Sequence, residues 1–201
     1  MYKRQVITVL FWIVLSVSGS IPFILFGFGV VDSFFESMSG ITTTGATVIA
    51  GLDDLPKSLL IYRQLLQWLG GMGLIVLAIA VMPLLGIGGG QLFKTQTPGP
   101  MSEQRLTPRI TSTARALWSI YFVLTVLCIF AYRLAGMNYF DAVSHAFSTV
   151  SIGGFSTHDL SIGFFDSLSI EIVCITFMLL SAMSLSLIHI SEPTRLRRIS
   201  Y

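Results

Sequence analysis

Long uncharged stretches alternate with short polar stretches along the chain. No Asp, Glu, Lys or Arg occurs within residues 5–31, 64–93, 116–132 and 172–191. A helix needs about 20 predominantly apolar residues to cross the hydrocarbon core of a bilayer. The pattern therefore predicts four membrane-spanning helices: within 5–31, at about 58–85, at about 110–134, and from about 168 onward.

The first of these helices has an alternative interpretation. Lys3 and Arg4 precede an apolar core and the small residues 16–20, an order that is also typical of a cleaved signal peptide. The apolar run continues beyond Pro22, however, and this gives it the length of a membrane span. We therefore favour a spanning helix.

Each half of the chain also contains a short segment that starts with an aspartate and ends in a loop rich in hydroxyls and glycine. Asp32 starts the first segment, before the loop 41–47, and Asp141 starts the second, before 151–156. About two helical turns, roughly 13 Å, are too short to cross a bilayer. We predict re-entrant half-helices with the aspartates as N-caps. Because irregular backbone in a bilayer must be buried or line a water-filled cavity, the loops should line a pore.

The two halves form an internal repeat. Asp32 and Asp141 are 109 positions apart, and the same offset pairs four further positions: Ser39 with Ser148, Thr42 with Ser151, Gly45 with Gly154, and Thr47 with Ser156. Parallel repeats in membrane proteins are related by an axis along the bilayer normal. The predicted fold is an all-α membrane protein of two tandem helix–re-entrant pore loop–helix units, at 1–85 and 110–190, with a cytoplasmic linker at 86–109.

Composition and charge placement agree with this picture. Only 11% of residues are charged, against about 25% in soluble domains. With the N-terminus in the cytoplasm, nine of the 12 Lys and Arg residues fall inside, as the positive-inside rule requires. Eight of the ten Asp and Glu residues fall outside, where they would concentrate cations. Nothing in the sequence indicates nucleic-acid binding, a catalytic triad or a metal cluster, so we predict a protein that is not an enzyme.

The two loops have the chemistry of a potassium filter. Backbone carbonyls and hydroxyls are neutral oxygens that replace the hydration shell of potassium without trapping the ion. Neutral ligands also disfavour magnesium and calcium, which prefer carboxylates. The candidate filter residues are Thr42, Thr43, Thr44, Gly45, Ser151, Ile152, Gly153 and Gly154. Among them, potassium is expected at Thr43, Thr44, Ile152 and Gly153.

Three other features keep more than one interpretation. The glycines Gly70, Gly71 and Gly73 within a predicted span fit either close helix packing or a pore lining. His145 is expected to be a packed or capping residue rather than an ion sensor. His158 with Asp159 is expected to lie in a solvated loop rather than to tune the outer mouth of the pore.

Six stretches together resemble the Trk/Ktr/HKT superfamily of potassium transporters, most closely its TrkH-type branch. These stretches are Phe34–Glu36 with Met38–Gly40, Thr42–Thr47, Gln67–Gly73, Phe93–Pro100, His145–Thr149 and Ile152–His158. The resemblance implies four pore units around one pore, with Gly45 and Gly154 as the filter glycines of the first two. It also implies potassium as the substrate with no cofactor, a homodimer in the bacterial cytoplasmic membrane, and a cytosolic nucleotide-binding partner of the TrkA type.

The chain departs from the family in extent. Only two of the four units are present, so it is expected to form half of a four-unit pore and to act as a partial pore subunit in potassium uptake. The alternatives are a non-conducting truncated fragment or assembly scaffold, and a secondary transporter for another solute. Residues 191–201 do not resemble the family and are expected to be a foreign tail.

Overall fold

The computed structural model describes residues 2–81 and 106–190. In this part of the chain all regular structure is helical, as predicted, with no strand. Two short 3₁₀ helices lie at Leu52–Asp54 and Ser161–Phe165. The α-helices are α1 (Tyr2–Leu25), α2 (Val30–Ile41), α3 (Lys57–Val81), α4 (Leu106–Leu134), α5 (Tyr139–Ser151) and α6 (Leu168–Ile190). Most of the predicted linker and the whole predicted tail lie outside the described residues.

By length and hydropathy, α4 contains a candidate membrane span. Within the described residues, Leu117–Leu134 is long and apolar enough to cross a bilayer, with a mean hydropathy of 1.8. Val9–Leu25 in α1 and Leu168–Met183 in α6 form shorter apolar helices.

The internal repeat extends to the backbone between α1 and α2. The bond from Phe28 N to Phe23 O, 3.2 Å, has its counterpart 109 positions later, from Met137 N to Tyr132 O, 3.1 Å. Gly27 and Gly136 occupy the same place in this turn, with φ of +105° and +107°. The two units therefore share their local geometry as well as their order of helices.

The predicted N-caps are wrong by three residues. Gly29 and Asn138 precede the first residues of α2 and α5, so Asp32 and Asp141 lie inside the first turn. In α5, Asn138 Oδ1 accepts from Asp141 N at 2.8 Å, and Asn138 Nδ2 donates to Asp141 Oδ2 at 2.6 Å. A carboxylate in the first turn still complements the positive end of the helix dipole.

Helix α3 belongs to the first unit and joins it to the second. It packs against α2 of the first unit and against α5 of the second. A Cβ atom at Gly70 would lie 2.0 Å from the carbonyl oxygen of Ile41, and one at Gly71 would lie 2.8 Å from the hydroxyl of Tyr121. These two glycines therefore serve close packing, one of the two roles left open by the sequence. The contact brings α3 directly against the end of α2, where the first loop begins.

Candidate functional site

The first and second loops leave their short helices in the same way. Thr43 N bonds to Gly40 O at 3.0 Å, and its counterpart Ile152 N bonds to Thr149 O at 3.1 Å. In the next position, Thr44 N and Gly153 N each bond at 2.9 Å to a serine carbonyl, of Ser39 and Ser148 respectively. The hydroxyls and glycines that align in sequence thus sit on equivalent backbone.

Both loops hold a β-branched residue in the left-handed region. Thr43 has φ +54° and Ile152 has φ +55°, and each is followed two residues later by a glycine, Gly45 at +77° and Gly154 at +86°. A left-handed conformation costs an L-residue about 1–2 kcal/mol. A β-branched residue there is a real outlier, and such strain persists where the surroundings impose it, often at functional sites.

The two loops contact each other at Gly45. A Cβ atom added there would lie 2.0 Å from the carbonyl oxygen of Gly153 and 3.1 Å from its carbonyl carbon. Only glycine permits this approach of one loop to the other. The candidate filter residues of both units therefore lie in two adjacent loops, as a shared ion pathway requires.

The eight candidate residues differ in exposure. Ser151 and Gly153 are buried, Thr43 and Gly45 are half-buried, and the other four are exposed: Thr42, Thr44, Ile152 and Gly154. Ser151 Oγ donates to Ser148 O at 3.2 Å, so its hydroxyl is used within α5. Thr42 and Thr44 bring their hydroxyl oxygens to 2.7 Å from each other.

A buried ion pair holds the first loop. Glu36 on α2 and Arg63 on α3 have side chains with no exposed surface, and Arg63 Nη2 lies 2.6 Å from Glu36 Oε1. Thr47 Oγ1 donates to both carboxylate oxygens of Glu36, at 2.9 and 3.0 Å, and accepts from Arg63 Nη2 at 3.0 Å. Arg63 also donates from Nη1 to Ser156 O in the second loop, at 3.3 Å. One guanidinium thus links the two loops.

A second polar cluster joins the units beyond the loops. His158 Nδ1 donates to Asp53, and His158 Nε2 lies 3.5 Å from Asp141 Oδ2. Asp159 accepts from the backbone N–H groups of Gly51 and Leu52 at 3.1 Å. Asp159 is exposed and His158 is half-buried. Both side chains also bind residues of the other unit, which the prediction of a solvated loop did not include.

His145 is packed in the interior, with 1% of its surface exposed. Its Nδ1 lies 3.0 Å from the carbonyl oxygen of Asp141 and its Nε2 lies 3.0 Å from Ser156 Oγ. A carbonyl oxygen can only accept, so in the neutral ring Nδ1 carries the proton and Nε2 accepts from Ser156. The packing role predicted for His145 agrees with this placement.

Acid should weaken the contact between Asp53 and His158. The hydrogen bond from His158 lowers the pKa of the Asp53 carboxyl below its ordinary value of 3.8. A lowered pKa in the folded state contributes stability above the ordinary value, and this contribution is lost as the pH falls through the folded value. We expect Asp53→Asn to lower the melting temperature at neutral pH, and the difference from the parent to close below about pH 3.8. Thermal melts in detergent across pH check this; a difference independent of pH would contradict it.

Comparisons of the sequence with known proteins find similarity to transport proteins. A model of the TrkH family, described as a cation transport protein, matches residues 1–191. The chain is 60% identical over 184 residues to a Trk system potassium uptake protein TrkH from Halomonas elongata, covering 90% of this chain and 38% of that protein. TrkH from Escherichia coli strain K12 is 53% identical with the same coverage.

A solved structure agrees with the sequence matches. The crystal structure of the potassium transporter TrkH from Vibrio parahaemolyticus superposes with a TM-score of 0.75 at 55% identity, covering 88% of this chain and 35% of that chain. The chain thus spans somewhat more than a third of the length of these relatives.

Proposed function

Because this chain belongs to the TrkH family of cation transport proteins, we propose that its two loops form part of a filter for potassium uptake across the bacterial cytoplasmic membrane. One observation carries the proposal. Thr43 and Ile152, at equivalent positions of two loops in contact, hold the same left-handed conformation at φ +54° and +55°. Two strained β-branched residues at matched places are expected where carbonyl oxygens must face an ion.

In the proposed filter, neutral oxygens of the two loops replace the water around potassium. The carbonyls of Thr43, Thr44, Ile152 and Gly153 are the proposed ion contacts. The remaining candidates, Thr42, Gly45, Ser151 and Gly154, shape the loops around them. Gly153 O already accepts from Gln67 Nε2 at 2.8 Å, and a carbonyl oxygen has a second lone pair for an ion.

Two loops enclose at most half of a ring, so further pore units are needed to complete it. The second loop has an open side: a cavity of about 130 Å³ lies between it and α6, lined in part by Ile152, Gly154 and Met178. In the first unit the equivalent Gly45 is covered by the second loop. We propose that a third unit covers Gly154 in the same way within a four-unit pore.

Orientation and partners follow from charge and from the family. Of the three cations predicted to lie outside, Arg63 is in a buried ion pair and does not count as a surface charge. This leaves Lys57 and Arg133 as outer surface cations and supports an N-terminus in the cytoplasm. We further propose a homodimer and a cytosolic regulatory partner of the TrkA type, both on the family resemblance alone.

Potassium uptake in a host that lacks its own potassium transporters tests the proposal. The measured protein is a chimera in which residues 1–183 of this chain replace the matching segment of the Vibrio parahaemolyticus relative. The chimera should restore growth at low potassium and should take up rubidium in preference to sodium. A chimera that reaches the membrane but moves a different solute, or moves potassium and sodium equally, would contradict the proposed filter.

A further inference from the structure

Gln67 reaches from the first unit into the second loop. It lies on α3, and none of its surface is exposed. Its side-chain Nε2 donates to the carbonyl oxygen of Gly153 at 2.8 Å, and its Oε1 accepts from the backbone N–H of Phe155 at 3.1 Å. These two backbone groups stand on either side of Gly154. One carboxamide therefore brackets the candidate filter glycine.

The contact is close enough to exclude any side chain at Gly153. A Cβ atom there would lie 2.4 Å from Cδ and 2.5 Å from Oε1 of Gln67. The loop backbone at Gly153 is therefore in direct contact with the carboxamide of Gln67. Movement of Gln67 would move the loop.

The chemistry of the bracket is specific to an amide. A carboxamide offers a donor and an acceptor in one rigid plane, whereas a carboxylate offers only acceptors and an alkyl group offers neither. The loop backbone here needs one of each, since Gly153 presents a carbonyl and Phe155 presents an N–H. When Gln67 binds both the Gly153 carbonyl and the Phe155 N–H, it orients the two peptide units that flank Gly154, whose φ is +86°.

We propose that Gln67 is a positioning residue that sets the ion selectivity of the second filter loop from the neighbouring unit, without touching the ion. The inference rests on the proposed potassium filter. Because Gly153 O also faces Gly45 of the first loop, the bracket fixes the spacing between the two loops. Ion discrimination by carbonyls depends on how many of them face the ion and how freely they move.

The same helix supplies a matched control. Gln64 is also fully buried on α3, and within residues 2–81 and 106–190 its Nε2 and Oε1 have no hydrogen-bond partner. Gln64→Leu removes an amide of the same size and burial that does not bind the loop. Since that amide is unpaired, its loss should leave both folding and selectivity near the parent value.

The first test measures the potassium-to-sodium permeability ratio of the chimera in proteoliposomes. Gln67→Leu should lower the ratio about tenfold, the change expected for roughly 1.4 kcal/mol, and Gln64→Leu should leave it unchanged. With its carboxyl ionised, Gln67→Glu should have a permeability ratio as low as that of Gln67→Leu. In acid the ratio of Gln67→Glu should return toward the parent value, because a protonated carboxyl again has one donor and one acceptor. A ratio in Gln67→Leu within twofold of the parent, or a Gln67→Glu ratio that ignores pH, overturns the proposal.

A second test needs no conduction and so separates this inference from the proposed function. Hydrogen exchange of the Phe155 amide is measured in the 201-residue chain. Exchange should be slow in the parent and in Gln64→Leu. It should also be slow in Gln67→Glu, because the glutamate still offers an oxygen that accepts from the Phe155 N–H. In Gln67→Leu exchange should be at least tenfold faster. Equal exchange in Gln67→Leu and the parent would show that the bracket does not hold the loop, whatever the chimera transports.

Discussion

Alanine at position 45 is expected to abolish potassium uptake by the chimera, with a loss of at least about 100-fold, which corresponds to roughly 2.7 kcal/mol. Two costs combine at Gly45. Its φ of +77° is unfavourable for alanine, by about 1–2 kcal/mol. The added Cβ would also lie 2.0 Å from a backbone oxygen, that of Gly153. A backbone atom cannot swing aside as a side chain can, so the two loops must separate. Initial rates of rubidium uptake, normalised to protein in the membrane, measure the effect.

Gly51 provides the control for the conformational cost alone. It has nearly the same φ, +74°, but a Cβ atom there meets nothing within 4 Å. Gly51→Ala should therefore destabilise the fold by about 1–2 kcal/mol and retain most of the uptake. If Gly45→Ala and Gly51→Ala behave alike, the contact between the loops does not matter for transport.

Removal of one partner of the buried ion pair is expected to have the second large effect. Arg63→Met would leave the carboxylate of Glu36 fully buried without its counter-ion, at a cost of about 3–5 kcal/mol. Val48 N, which donates to Glu36 Oε2 at 3.3 Å, and the hydroxyl of Thr47 would remain as its hydrogen-bond donors. The melting temperature in detergent should fall steeply, and the loss of the bond to Ser156 O should loosen the second loop as well.

The double variant Glu36→Gln with Arg63→Met distinguishes a charge effect from a packing effect. With both charges gone, no unpaired ion remains in the interior, and most of the lost stability should return. A double variant as unstable as Arg63→Met alone would mean that the pair acts through its shape and its hydrogen bonds rather than through charge compensation. The stacking of the Arg63 guanidinium 4.4 Å above the ring of Phe155 is the contact that would then matter.

The sequence predicted the loops because their signal is local. Hydroxyls and glycines recur at fixed spacing after a short apolar helix, and the offset of 109 residues carries them from Thr42 and Gly45 to Ser151 and Gly154. The helical architecture could also be predicted from the sequence, because uncharged runs of this length leave few alternatives to membrane-spanning helices. In the first unit the cap was misplaced because Gly29 has no side chain to mark the start of the helix, whereas Asp32, three residues later, has one. In the second unit Asn138 did offer a capping side chain, but Asp141 was predicted instead because it aligns with Asp32 in the repeat.

The contacts that join the units were beyond sequence reasoning because each pairs residues far apart in the chain. Gln67 contacts residues 86 to 88 positions away, and His158 binds Asp53 from 105 positions away. A signal did exist for Arg63 and Gln67, since polar residues within an apolar span are costly and mark functional or packing contacts. Their partners could not be named without the arrangement of α3 between two units.

Anomalous diffraction from crystals of the chimera grown in rubidium tests the central claim, that the two loops are adjacent parts of one potassium filter. Rubidium stands in for potassium and scatters anomalously. The account predicts anomalous peaks between the loops, bordered by the carbonyl oxygens of Thr43 and Thr44 on one side and of Ile152 and Gly153 on the other. Rubidium peaks confined to other sites, in a chimera that still transports rubidium, would contradict it.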